Sequence, residues 1–135
     1  MREILFRGKR LDNGEWVYGY YVYEELYKTS IIEANEKTGG DGYINPRYQL
    51  TSYEVNSETV GQYTGFKDEN EEKIFEGDVI RGTYDEMTYQ NKVIFADCGF
   101  SLVHNNNKYG YCAPLEEHES IELIGNTVDN PELIN

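Results

Sequence analysis

Gly61-Gln62-Tyr63-Thr64-Gly65-Phe66-Lys67-Asp68, running on to Lys73-Ile74-Phe75-Glu76-Gly77-Asp78-Val79-Ile80, is the stretch that decides the fold. Glycines bracket short apolar runs, and charged residues sit where turns belong, which is the pattern of short strands joined tightly. Beyond it, Asp78–Tyr84, Asn91–Phe95 and Gly99–Val103 predict three strands at the spacing of a small antiparallel barrel. Ile121–Asn126 predicts another strand, and Asp68–Glu72 reads as a solvated acidic turn. The tail, with Asn130 before Pro131, predicts one short helical turn.

Toward the N-terminus, Glu3–Arg7 and Glu15–Tyr23 flank Asp12-Asn13-Gly14, the strongest short hairpin signal. Gly19 interrupts the second of these runs and predicts a bulge or a close backbone contact. Ile31-Ile32 predicts a short strand, followed by a loop over residues 35–42 in which three of four successive positions are Gly. No segment keeps a long 3.6-residue apolar period, and no internal repeat is present.

Composition agrees with this pattern. Thirteen tyrosines and few alanines or leucines disfavour a helical bundle, because aromatic side chains suit a pleated, half-buried surface. The expected class is mainly β: an N-terminal β lobe over 1–60, then a small SH3-like antiparallel barrel lobe over 61–135 with a short C-terminal tail, the two forming one compact unit. No apolar run approaches the ~18 residues of a membrane span, and no apolar segment follows the first residues as in a signal peptide. A soluble protein of the bacterial cytoplasm is the expectation.

The net charge of −13 weighs against direct nucleic-acid binding, which needs a basic stripe to displace counterions from phosphates. It suits solubility and attraction to a basic protein partner. Metal and catalytic signatures are weak. Asp68, Asn70 and Glu72 alternate like a calcium loop, but Lys73 stands where the loop needs Gly and Val79 where it needs Glu. Cys98, His104, Cys112 and His118 are each five or more residues apart, unlike the close pairs of a structural zinc site. They read as buried free cysteines and unrelated surface histidines. No Walker loop, nucleophile elbow or H-E-x-x-H is present, so no catalytic, cofactor or metal residue is assigned. Glu116, Glu117, Glu119 and Glu122 read as an exposed edge, where like charge discourages strand pairing between molecules.

Trp16, Tyr18, Tyr20, Tyr21 and Tyr23 are the candidate partner-binding residues. Tyr18 and Tyr20 share one strand face, and Tyr21 and Tyr23 the other if Gly19 makes no bulge. One face is expected in the core, leaving the other tyrosines for an interface, where Tyr gives area and a hydrogen bond together.

Phe6-Arg7-Gly8, Gly14–Gly19, Val60–Gly65, Ile74–Ile80, Ile124-Gly125-Asn126 and Asn130-Pro131-Glu132-Leu133 together resemble the YopX family. The resemblance implies a mainly β fold, a phage or prophage origin and no assigned activity. It brings no catalytic residues. The resulting expectation is a non-enzymatic phage accessory protein that binds a protein partner or assembles with itself. An acidic DNA mimic acting on a nucleic-acid enzyme is one alternative. A hydrolase using a carboxylate pair or Cys98 is the other.

Overall fold

The computed structural model of the chain describes residues 3–23, 29–37, 47–96, 99–104 and 112–134, with backbone alone at 34–37 and 47–49. Antiparallel strands dominate and no α-helix is present among the described residues, so the mainly β class holds. Two compact units are formed, one of Ile4–Val60 and one of Gly61–Asn135 together with Met1–Glu3.

In the first unit, β1 (Phe6–Lys9), β2 (Trp16–Val22), β3 (Ser30–Lys37) and β4 (Arg47–Glu54) are neighbours in chain order. The β1–β2 turn takes its form from Asn13 and Gly14: Gly14 has φ +72°, and Asn13 Oδ1 accepts from the Glu15 N–H at 3.0 Å. Asn35, Glu36 and Lys37 continue β3 rather than opening the expected loop, because each finds a partner on β4, ending with Lys37 opposite Arg47. The rest of that glycine loop lies outside the described residues. Val17, Ile31 and Val55 form a small core, with Phe6, Tyr53 and Val60 packed against it.

In the second unit, β5 (Gly61–Lys67) pairs with β6 (Lys73–Phe75). A five-stranded sheet follows from β7 (Asp78–Tyr84), β8 (Met87–Ala96), β9 (Gly99–Val103), β10 (Cys112–Pro114) and β11 (Ser120–Asn126), in the order β10-β9-β8-β7-β11. Ile74, Ile80, Val93, Phe100, Leu102 and Leu115 make its core. Pro131–Leu133 forms the single 3-10 turn expected after Asn130.

The sheet is not closed, which corrects the expectation of an SH3-like barrel. Both ends are stopped chemically. β10 is three residues long and ends at Pro114, which has no N–H with which to extend a ladder. On β11, the turn after β5 takes the outer positions: Leu123 N–H donates to Asp68 Oδ2 at 3.0 Å, and Glu69 N–H donates to the Ile121 carbonyl at 3.0 Å.

The β7–β8 hairpin turns through Asp85 (φ +49°) and Glu86 (φ +65°), both left-handed without being Gly or Asn. Replacing this pair by Asn-Gly is therefore expected to raise stability by about 1 kcal/mol in urea unfolding, since Asn-Gly adopts this turn with least strain.

Candidate functional site

Strand β2 is fixed on both sides, with Phe6 opposite Gly19 on β1 and Tyr20 opposite Ile32 on β3. Gly19 makes the close backbone contact its position suggested: a Cβ there would lie 2.1 Å from the Ile32 carbonyl oxygen. Val17 alone of β2 enters the core. Trp16 is half-buried, with the Arg7 guanidinium 4.6 Å and the Lys9 ammonium 5.3 Å from its ring centre.

The four tyrosines stay outside. Tyr20 and Tyr23 are 59% and 64% exposed, and Tyr18 and Tyr21 are exposed as well. This corrects the expectation that one pair would be buried. Beyond Gly19, Tyr20, Tyr21, Val22 and Tyr23 are all exposed, so successive side chains on opposite faces both meet solvent. Tyr21 rests against Phe6, ring centres 5.4 Å apart.

A second constellation joins the chain's two histidines. His104 follows β9, and His118 follows the 3-10 turn Leu115–Glu117. Their Nε2 atoms are 2.9 Å apart. His118 Nδ1 lies 2.9 Å from the Pro114 carbonyl. A carbonyl only accepts, so His118 carries its hydrogen on Nδ1 and accepts at Nε2, and His104 donates from Nε2. His104 stacks on Tyr89 at 3.7 Å and 3°, while Tyr84 lies 5.4 Å from His104 and 5.5 Å from His118. Gly82 leaves room for this arrangement: a Cβ there would come within 2.9 Å of His118 Cδ2. Burial, together with the neighbouring His118, holds His104 below the ordinary histidine pKa.

The histidines are thus partners, not the unrelated surface residues expected from their spacing. No group of three or more His, Cys, Asp or Glu able to hold a metal occurs among the described residues. Cys112 is a half-buried thiol in β10, opposite Val103, and Cys98 lies outside the described residues.

Asp68 is the other departure. It is buried, and its carboxylate accepts from the backbone N–H groups of Asn70 (2.8 Å), Glu72 (2.9 Å) and Leu123 (3.0 Å). Burial alone would raise its pKa, but these donors outweigh it and hold the group below the usual carboxylate value. The rest of the turn, Glu69 to Glu72, is solvated as expected. Glu116, Glu117 and Glu119 are exposed, and Glu122 pairs with Arg81 at 3.3 Å. No helix among the described residues is long and apolar enough to cross a membrane.

Comparison with known proteins gives a family and a fold. No curated protein matches the chain. The crystal structure of protein EF1440 from Enterococcus faecalis is similar over 100% of both chains, with a TM-score of 0.64 at 20% identity, a likeness of fold. The model of the YopX protein family matches residues 5–135, nearly the whole length. The chain belongs to the YopX family.

Proposed function

We propose that this protein is a non-enzymatic phage or prophage accessory protein of the bacterial cytoplasm. It acts by binding protein through the tyrosines of β2, its own copies included. The observation that carries the reading is the exposure of Tyr18, Tyr20 and Tyr21 on β2, and of Tyr23 just after it. That strand pairs with β1 over Trp16–Gly19 and with β3 over Tyr20–Val22. Tyrosines on a rigid strand offer large contact area at low entropic cost, each with a hydroxyl for the rim. Trp16, fixed under Arg7 and Lys9, supports the start of this strand rather than forming the contact surface. The net charge of −13 favours a basic partner, steering encounter more than setting affinity.

The test is capture of tagged protein from host cells, at low and high salt, beside a Tyr20→Ser/Tyr23→Ser variant. Both side chains are exposed, so the double substitution leaves the fold intact within about 1 kcal/mol. A protein retained by the wild type and lost from the variant is the expected result. Identical retention by the two would remove the tyrosines from the account. A nucleic-acid enzyme retained equally by both and released by salt would favour DNA mimicry instead.

A further inference from the structure

We propose that His104 and His118 form a proton-operated clasp that holds the end of β9 to the Leu115–Glu117 turn and releases on double protonation. The clasp belongs to the C-terminal unit and is independent of the tyrosine strand. Its geometry is that of a shared hydrogen. The Nε2 atoms are 2.9 Å apart while the ring centres are 5.2 Å apart, so the rings point nitrogen to nitrogen along nearly one line. A chelated metal would need both lone pairs to converge beside that line. One hydrogen between the nitrogens satisfies both Nε2 atoms as they stand.

The protons can be followed. In the neutral pair, the His118 Nδ1 hydrogen goes to the Pro114 carbonyl and the His104 Nε2 hydrogen to His118 Nε2. A first added proton goes to His104 Nδ1, the one ring nitrogen outside these two hydrogen bonds. It leaves a single hydrogen between the rings and makes that bond charge-assisted, so the clasp holds. A second puts hydrogen on both Nε2 atoms of two cationic rings, and the pair must part. His118 is anchored at Pro114, so His104 is the ring that leaves, uncovering the face of Tyr89 on which it stacks.

The described groups around the pair are Tyr84 from β7 and Tyr89 from β8. Lys67, Asp68, Glu69 and Glu119 line the open cleft beside His118. Asp68 is already committed to backbone donors, leaving Lys67, Glu69 and Glu119 as the charges facing His118 across solvent. His104 lies below its ordinary value in the folded chain, so the unfolded chain takes up the proton more readily. The stability this group contributes is present above about pH 6.5 and is lost as pH falls toward the folded value.

Nitrogen-detected NMR of the intact chain tests this directly, since two histidines give two ring systems. At about pH 8 the clasp requires an Nδ1–H tautomer on His118 and an Nε2–H tautomer on His104. On acidification it requires two separate steps, with the Tyr89 ring signals moving only at the second. The opposite tautomers, or two rings titrating independently near 6.5, would overturn it. Thermal unfolding provides a second arm. Between about pH 7.5 and pH 5 the wild type should lose about 2–6 °C more in Tm than His104→Gln. Equal losses would overturn the proposal.

Discussion

Gly19→Ala is expected to destabilise the N-terminal unit by about 3 kcal/mol or more, near the upper end of what overpacking costs. The added methyl would sit 2.1 Å from the Ile32 carbonyl oxygen and 3.3 Å from the Glu33 Cα. Both neighbours are backbone, so no rotamer change relieves the clash, and β2 and β3 must separate. Gly14→Ala is the control. Gly14 has φ +72° with nothing within 4 Å of an added Cβ, so its substitution costs only the strained backbone, about 1 kcal/mol. Urea unfolding followed by the fluorescence of Trp16, the chain's single tryptophan, reports on the unit that holds both glycines.

Asp68→Ala is expected to cost about 2–4 kcal/mol, because three backbone N–H groups lose a charged acceptor together. Two of those donors hold the turn itself, and the third lies on β11. The pH dependence has a definite sign. Asp68 titrates below its ordinary value of 3.8 in the folded chain, so its contribution is present above that value and lost as pH falls through the lower folded one. Asp68→Asn keeps the shape but turns an NH2 toward N–H donors, so it should be destabilised at neutral pH and show a flatter acid limb. Hydrogen exchange at the Leu123 amide, compared between wild type and variant, locates the loss on β11. Unchanged protection there would mean that the carboxylate does not hold this edge.

The sequence announces strands through local signals, and where the determinants are local it is a good guide. β7 and β9 have the bounds read from their apolar runs, and β11 begins one residue earlier than read. Gly19 announces its close contact because a missing side chain inside a strand is itself a signal. The 3-10 turn after Asn130 follows from a proline at a helix-opening position.

What the sequence hides depends on partners distant along the chain. Whether a run of short strands closes into a barrel is set by what caps its two edges, here Pro114 and a carboxylate 55 positions from Leu123. Asp68 looks like one more acid in a solvated turn. Its spacing to Asn70 and Glu72 does suggest an aspartate receiving local N–H groups, and that was the available signal. The His104–His118 pair carries no spacing signature, since strand pairing and a turn bring the rings together. Asp85-Glu86 escapes notice because Glu86, unlike Asp85, is not a residue typical of a left-handed turn. The aromatic cluster of β2 is readable as a cluster. Its exposure on both faces is not, because that depends on what covers the sheet beyond Gly19.

A photo-crosslinking phenylalanine placed at Tyr20, and separately at the exposed Thr88 of the other unit, tests the binding reading most directly in host cells. Illumination should attach a protein, a second copy of this chain included, at Tyr20 and not at Thr88. Crosslinks at Thr88 with none at Tyr20, or none at either position, would contradict a function carried by the tyrosines of β2.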